Sequence, residues 1–214
     1  MSSERVRVYL TNTLEPASDA QQKLVGVVPA LAHEAEAVNA VKQKVRFTVL
    51  VGNPPYSNLS ANLTPESRSI VENYKYIDGQ RIRERGALSL EKNINDDYVK
   101  FVCFAQLAVH QIGIYGLVTN NGFMANPTLR GMRYSLINSL PKFYVVNLLG
   151  YAGASTRRMS ETPDVNVFEI ANAGVAIHIA CCGPDKQTFI GYAEIVGARE
   201  AKYKFLSDHT AKST

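Results

Sequence analysis

The amino-acid sequence predicts an α/β fold with an open, mostly parallel sheet and an antiparallel hairpin at the edge of that sheet. Short apolar runs alternate with helical segments, which is the pattern of a parallel sheet. Polar loops follow two of these runs, and a Gly-Pro-Asp turn joins the last two. With 214 residues and 46% hydrophobic content, the chain is long enough to form one sizeable core.

The first part of the sequence contains two predicted strands separated by a helix. Val6 to Leu10 is a short strand, Ala30 to Lys44 interleaves Ala and Val with Glu and Lys as a helix does, and Phe47 to Val51 is a short buried strand. Residues 57 to 94 are polar and rich in Ser, Asn, Arg and Glu. A segment of this length with little periodicity predicts a binding loop or a lid.

A second helix and strand follow. Asn95 is the predicted N-cap of a helix whose apolar residues keep helical spacing up to Gly113, which ends it. Ile114 to Thr119 is the next buried strand, and the polar loop Asn120-Asn121-Gly122-Phe123 lies at its carboxyl end. Because parallel strands end at the same edge of a sheet, we expect this loop beside the one that follows the preceding strand.

The last part of the sequence completes the predicted sheet. Residues 128 to 139 form a helix, Tyr144 to Leu149 a strand and residues 150 to 164 a loop. Val175 to Cys182 and Thr188 to Glu194 are two further strands, and the short turn between them predicts that they pair as an antiparallel hairpin.

The loop after the strand Phe47 to Val51 has the composition of a binding site. It reads Gly52-Asn53-Pro54-Pro55-Tyr56, and its two successive prolines stiffen the backbone without donating hydrogen bonds. The proline carbonyls and the Asn53 side-chain oxygen are acceptors that suit an amino group with two N–H bonds, and Tyr56 offers a flat face to an aromatic base. The other interpretation is an ordinary Pro-rich turn with Tyr56 packed on the surface.

The segment from Asn53 to Tyr56 resembles the catalytic motif of amino-group DNA methyltransferases, which make N6-methyladenine. Other segments are similar to one branch of these enzymes, the type ISP restriction-modification enzymes, in order and spacing over nearly all of residues 5 to 206. The similar segments are Tyr9 to Glu15, Asn95 to Phe101, Gly116 to Phe123, Leu129 to Arg133, Asn166 to Ile170, Gly174 to Ile177 and Arg199 to Leu206.

This resemblance implies a Rossmann-like methyltransferase sheet and transfer of a methyl group from S-adenosyl-L-methionine (AdoMet) to the N6 amino group of adenine in double-stranded DNA. In that role Asn53 and the Pro54 carbonyl accept the two amino hydrogens, Pro55 completes the stiff motif, and Tyr56 stacks on an adenine extruded from the duplex. Stacking worth ~1 to 3 kcal/mol would offset much of the cost of extrusion.

Further site residues are expected in the neighbouring loops. Phe123 would close the other side of the base, with Asn121 in the same loop, while Arg130 and Arg133 would contact DNA phosphates and Glu15 would approach the adenosine of the donor. Each has a plainer interpretation. Phe123 can be a core residue, Glu15 can lie in a surface turn, and the arginines can be solvated, because a net charge of +4 does not by itself imply nucleic acid.

The sequence departs from the methyltransferase pattern in one respect, since no Gly-x-Gly occurs among its 14 glycines. The glycine-rich donor-binding loop of the resembled family would lie before Met1. We therefore expect a partial domain: a fragment of a larger enzyme, a subunit completed in trans, or a decayed remnant. Two other functions stay open, namely methylation of a glutamine amide of translation release factors and binding of DNA or a partner without turnover.

The remaining features predict a cytoplasmic protein that binds neither membrane nor metal. No run of about 18 apolar residues occurs, the start lacks the pattern of a signal peptide, and the three cysteines and four histidines have no metal-ligand spacing. Residues 1 to 206 are expected to form the partial catalytic domain, with residues 150 to 206 as its end and the possible start of a recognition region. Residues 207 to 214 are expected to form a tail.

Overall fold

The computed structural model describes residues 7–17, 29–56, 60, 62–83, 87–150, 163–170, 173–184 and 187–209. In this part of the chain the helices are α1 (Pro29–Lys44), α2 (Pro65–Ser69), α3 (Ala87–Ile94), α4 (Asp97–Ala108), α5 (Arg130–Ser139) and α6 (Arg199–Asp208). The strands are β1 (Phe47–Gly52), β2 (Tyr76–Ile77), β3 (Gln80–Arg81), β4 (Val109–Asn120), β5 (Lys142–Leu149), β6 (Val175–Cys182) and β7 (Phe189–Glu194). Single 3-10 turns span Glu72–Lys75, Asn121–Met124 and Pro127–Leu129.

The predicted fold class is confirmed, because the main sheet is an open α/β sheet of five strands in the order β1-β4-β6-β5-β7. β1 pairs parallel with β4, and β5 pairs parallel with β7. β6 lies between β4 and β5 and is antiparallel to both. β1, β4, β5 and β7 therefore run in the same direction, and their carboxyl ends lie at one edge of the sheet.

The antiparallel strand is not where the sequence placed it. β6 and β7 run in opposite directions but do not form the predicted hairpin, since β5 lies between them and pairs with β7, with Val145 opposite Tyr192. The reason is that both edges of β6 are already hydrogen-bonded, to β4 and to β5, which leaves β7 only the outer edge of β5. A two-stranded antiparallel pair does occur elsewhere, between β2 and β3.

The boundary between α4 and β4 also differs from the prediction. The helix begins at Asp97, with Asp96 at its N-cap, and it ends at Ala108, so the strand starts at Val109. Val109 and Ile112 fit a helical period, but pairing with β1 places this stretch in the sheet. Gly113 lies within the strand, where a Cβ atom would come within 2.7 Å of the Thr48 carbonyl oxygen of β1. It permits close strand approach and does not end a helix.

Two further segments differ from their predicted structure. Residues 7–10, the described part of the first predicted strand, are irregular, and Val8 and Leu10 are 84% and 96% exposed. The polar segment after Tyr56 is not a continuous loop, because it contains α2, the β2–β3 pair and α3. α2 begins with Thr64 as its N-cap, whose side chain accepts a hydrogen bond from the Ser67 N–H.

The described hydrophobic residues form two clusters on opposite faces of the sheet. The larger cluster contains Tyr115 and Leu117 of β4 together with residues of α4 and α5. The smaller cluster is joined by Val118 of β4 and by Leu206 of α6. Successive strand residues point to opposite faces, so these two clusters lie on either side of the sheet.

The remaining predictions concern the cysteines, membrane-spanning helices, metal ligands and the last part of the chain. Cys103 is buried, Cys181 and Cys182 are half-buried, and all three are free thiols. None of the described helices is long and apolar enough to cross a membrane. The described residues contain no group of three or more His, Cys, Asp or Glu side chains that could hold a metal ion. Most of the predicted loop 150–164 lies outside the described residues, and α6 extends to Asp208, into the predicted tail.

Candidate active site

The two polar loops identified in the sequence follow neighbouring parallel strands. β1 and β4 pair in one register from Val49 to Gly52, and Gly52 lies opposite Leu117. The loop from Asn53 and the 3-10 turn Asn121–Met124 therefore both leave the sheet at its carboxyl edge. Crevices at this edge are where open α/β sheets bind ligands. The predicted proximity of these loops to the same edge is confirmed.

The tetrapeptide from Asn53 to Tyr56 is held by an internal hydrogen bond. The Tyr56 hydroxyl donates to the Asn53 side-chain oxygen at 2.8 Å. Pro54 is buried, Tyr56 is half-buried, and Asn53 and Pro55 are exposed. Burial raises the pKa of Tyr56 to about 12, so its hydroxyl stays protonated and able to donate at neutral pH.

The ring of Tyr56 packs against a second aromatic ring from a distant part of the chain. Its centroid lies 5.6 Å from that of Phe168, with an interplanar angle of 54°. Both rings pack against the smaller hydrophobic cluster. Phe168 comes from the segment before β6, and it was not among the predicted site residues. The only sequence signal for it is its place in the segment Asn166 to Ile170, which was singled out for resemblance alone.

A cavity of about 510 Å³ lies beside the tetrapeptide. Its lining includes Asn53, Pro54 and Pro55 from the loop and Thr11, Thr13 and Lys42 from the chain before β1. AdoMet carries a sulfonium and an ammonium group, which carboxylates would stabilise, and one carboxylate, with which a lysine can pair. Among the described residues, however, no Asp or Glu lines this cavity, and Lys42 does. The lining does not by itself fit AdoMet.

Glu15, the predicted donor-binding residue, lies near one wall of this cavity. It is exposed, and its backbone carbonyl accepts a hydrogen bond from Lys42 Nζ at 2.9 Å. The same ammonium group binds the Asn12 carbonyl at 2.8 Å. Lys42 thus fixes the turn that contains Glu15, and the role of its carboxylate stays a prediction.

A buried network ties down the chain after the tetrapeptide. Lys100 is fully buried, and its ammonium group donates to Ser60 Oγ at 2.9 Å and to the Asn62 carbonyl. Ser60 in turn donates to the Asp97 carboxylate. The Asn62 side chain accepts a hydrogen bond from Asn12 at 2.7 Å. The motif Asn95 to Phe101 therefore does more than start a helix, since it anchors the segment that follows Tyr56.

The predicted substrate residues of the second loop form bonds within the protein. The Asn121 side chain donates to Asn147 Oδ1 at 3.0 Å. Arg133 donates from Nη1 to the carbonyls of Phe123 and Asn126, at 2.8 Å each. Arg130 donates to the Pro127 carbonyl at 3.1 Å. These side chains hold the shape of the loop at the carboxyl edge.

Phe123 is 3% exposed and packs in the larger hydrophobic cluster, beside Phe143 and His178. Tyr56 packs against the smaller cluster on the opposite face of the sheet. The structure thus places Phe123 in the core position that was its plainer interpretation, and it brings Phe168 against Tyr56. A contact of Phe123 with a base stays a prediction.

No protein-family model and no curated protein matches this chain. Solved structures do match it. The ATP-dependent type ISP restriction-modification enzyme LlaBIII bound to DNA superimposes with a TM-score of 0.68 and 25% sequence identity, over 83% of this chain and 12% of that one. A nuclease-deletion mutant of the type ISP enzyme LlaGI, in complex with a DNA substrate mimic, superimposes with a TM-score of 0.64 and 22% sequence identity. The match covers 83% of this chain and 15% of that one. A DrdV–DNA complex superimposes with a TM-score of 0.63 and 23% sequence identity, over 88% of this chain and 18% of that one.

The resemblance to type ISP restriction-modification enzymes that the sequence motifs indicated is therefore confirmed. The chain has the fold of one part of such an enzyme, and it spans 12% to 18% of the length of these three proteins.

Proposed function

We propose that this chain is the substrate-binding part of a DNA methyltransferase that methylates the N6 amino group of adenine, as part of a restriction-modification system. The observation that supports this most directly is that Asn53 and Pro54 line the cavity at the carboxyl end of β1, with Tyr56 following in the same loop. An amide oxygen, a proline carbonyl and an aromatic ring within four residues match the two N–H bonds and the flat face of an adenine.

In the proposed reaction Asn53 Oδ1 and the Pro54 carbonyl accept the two amino hydrogens. Both bonds raise the electron density on the nitrogen as it attacks a methyl group, and they hold it in line for attack. Tyr56 stacks on one face of the base, and Phe168, whose ring lies 5.6 Å from that of Tyr56, supports this aromatic wall. The proposed donor AdoMet would provide the methyl group on its sulfonium; the S–CH3 bond would break as the N–CH3 bond forms, leaving a neutral thioether, and the methylated nitrogen would release one proton to water.

The proposed substrate is double-stranded DNA with the adenine turned out of the helix. Unstacking costs a few kcal/mol, and stacking on an aromatic side chain returns ~1 to 3 kcal/mol. A guanidinium group has five N–H donors, so Arg133 can contact a phosphate while Nη1 binds the loop carbonyls. Arg130, one turn of the same helix away, is the second proposed phosphate contact.

We further propose that the rest of a methyltransferase, in the same polypeptide or in trans, pairs with β1. Among the strands that the structure describes, β1 is an outer strand of the sheet, and its residues Val49 and Val51 are 62% and 81% exposed. An apolar edge strand of this kind is a template for pairing with another strand. In this proposal the segment that pairs with β1 would supply a glycine-rich donor loop and the carboxylates that are absent from the described lining of the cavity.

The test is methyl incorporation into unmethylated duplex DNA by the native assembly, purified through a tag on this chain. Asn53→Ala is expected to lower kcat by at least ~10²-fold, because the nitrogen loses an acceptor aimed at its transition state. DNA binding should stay within about twofold of normal. Asn138→Ala is the matched control, since Asn138 is an exposed asparagine on α5.

Normal turnover of the Asn53→Ala protein would contradict the role of Asn53. Methylation of a release factor in place of DNA would assign the chain to the glutamine-modifying class. An assembly that binds duplex DNA without methylating either substrate would show the binding function alone.

A further inference from the structure

Three side chains on one face of α6 bind three consecutive backbone carbonyls of the segment that leads to Phe168. The spacing of these residues, i, i+3 and i+4, places them side by side on a helix. The bonds run from Lys202 Nζ to the Val165 carbonyl at 2.7 Å, from Arg199 Nε to the Asn166 carbonyl at 3.0 Å, and from the Tyr203 hydroxyl to the Val167 carbonyl at 2.6 Å. We call Arg199, Lys202 and Tyr203 the α6 clamp.

Lys202 is the central residue of the clamp, and it is fully buried. Besides the segment carbonyl, its ammonium group binds the Leu148 carbonyl at 2.6 Å and Asp164 Oδ1 at 2.7 Å. Three acceptors satisfy the three N–H bonds of an ammonium group, and the carboxylate compensates its charge. Asp164 also accepts hydrogen bonds from the backbone N–H groups of Gly150 and Gly197. The clamp thus joins the end of β5 to the start of α6.

The side chain of Asn166 fixes the same segment from inside. Its amide donates to the carbonyls of Gly150 and Ala173, at 3.1 and 2.6 Å, and its oxygen accepts the Phe168 N–H at 2.8 Å. Gly150 has φ of +83°, and a Cβ atom there would lie 2.4 Å from the Asn166 Cα atom. The backbone that leads to Phe168 therefore has little freedom to move.

We infer that the α6 clamp is a positioning device for Tyr56, acting through Phe168. The clamp sets the backbone before Phe168, the Phe168 ring lies against the Tyr56 ring, and the Tyr56 hydroxyl binds Asn53. The inference rests on the proposed function, in which Tyr56 carries the base. It gives the two otherwise unassigned segments, Asn166 to Ile170 and Arg199 to Leu206, one shared role.

The first experiment is structural and does not depend on activity. 3-Fluorotyrosine is incorporated at position 56 alone, and its fluorine NMR resonance is recorded in the 214-residue chain. Phe168→Leu, which removes the neighbouring ring, defines the resonance of an unsupported Tyr56. Tyr203→Phe removes only the clamp hydroxyl. We expect the fluorine resonance of residue 56 in this variant to move toward its position in Phe168→Leu. Lys204→Met on α6 is the control, because Lys204 is exposed and pairs only with Asp208 among the contacts described.

The second experiment measures methylation of duplex DNA by the native assembly. Tyr203→Phe is expected to lower kcat about tenfold, since a small displacement of a group that orients substrate is costly, while KM for DNA stays within about twofold. If the Lys202→Met protein folds, its kcat is expected to fall by more than tenfold. If it does not fold, Tyr203→Phe still tests the inference.

A Tyr56 resonance that stays at the wild-type position in folded Tyr203→Phe would overturn the inference, whatever the activity. If the wild-type assembly methylates no DNA while the resonance moves as expected, the proposed function fails and the positional coupling stands.

Discussion

The Tyr56 hydroxyl donates a hydrogen bond to the Asn53 side-chain oxygen at 2.8 Å, so the two functional ends of the tetrapeptide are bonded to each other. The same oxygen is the acceptor proposed for the adenine amino group. An acceptor that serves a phenol is less available to a second donor. Entry of the base therefore involves sharing or exchange of this bond, and the two partners are open to separate mutational tests.

Tyr56→Phe and Tyr56→Ala are expected to change the affinity for an extruded base in opposite directions. Phe keeps the stacking face and releases Asn53 from a bond with a net value of about 0.5 to 1.5 kcal/mol, so binding of an extruded base should tighten about three- to tenfold. Ala removes a stacking contribution of ~1 to 3 kcal/mol and should weaken binding. Fluorescence of 2-aminopurine at the target position of a duplex reports extrusion. Equal weakening by both substitutions would contradict the competition between the hydroxyl and the base.

Lys100→Met tests the network that anchors the chain after Tyr56. Lys100 is fully buried beside the Asp97 carboxylate, with Nζ 3.9 Å from Oδ1, and it also binds Ser60 and Asn62. Removing one member of a buried ionic network costs about 3 to 5 kcal/mol, because the buried Asp97 carboxylate loses the ammonium group that compensates its charge. The free energy of unfolding measured in urea should fall by this amount. Lys92→Met on the exposed side of α3 is the control and should change stability by less than ~0.5 kcal/mol.

Local sequence patterns predicted much of this fold, and long-range pairing explains where they failed. α1, β1, β5 and β6 were predicted because helical spacing and apolar runs are local properties. The start of β4 was predicted as helix, since its residues fit both periods and only the pairing of Phe47 with Val109 decides between them. The false hairpin has the same cause, because β5, which comes earlier in the chain, occupies the edge of β6.

In the candidate site, too, residues that are close in sequence were predicted and those that meet only through long-range contacts were not. The tetrapeptide from Asn53 to Tyr56 is visible in the sequence because its chemistry lies in four adjacent residues. Phe168 and the α6 clamp act on it across more than a hundred residues of chain, and no local pattern connects them. Asn121 and Arg133 were predicted as substrate contacts, and their bonds to Asn147 and to loop carbonyls could not be read from composition.

His178 should make the protein sensitive to acid. Its side chain is fully buried among Tyr115, Phe123 and Phe143, both ring nitrogens lack a hydrogen-bond partner among the described residues, and burial lowers its pKa from 6.5 to about 3. Below pH 6.5 the unfolded chain binds a proton here that the folded chain does not. Stability should therefore fall as the pH drops from 6.5 toward 3, by about 1.4 kcal/mol per pH unit.

His178→Leu separates this effect from the titration of other groups. Leucine has no nitrogen to leave unbonded, so the variant should be at least as stable at pH 7 and about 2 kcal/mol more resistant to the drop from pH 6.5 to pH 5. Urea unfolding at each pH gives both values. His110→Gln, an exposed site on β4, should follow the wild type. Parallel acid dependence in wild type and His178→Leu would show that His178 is not the group responsible.

Val51→Lys tests the proposal that β1 pairs with a further methyltransferase segment. Val51 is 81% exposed on an outer strand, so lysine should change the stability of the isolated chain by less than ~0.5 kcal/mol. Val51 lies near the carboxyl end of β1 and lines the cavity, and a charged side chain there opposes pairing of this apolar strand with another strand. Less partner protein should then copurify with a tagged Val51→Lys chain, and self-association measured by light scattering should fall. Leu107→Lys places the same charge at a 56% exposed leucine on α4 and should change neither result. Equal losses in both variants would show that surface charge, and not the β1 edge, controls assembly.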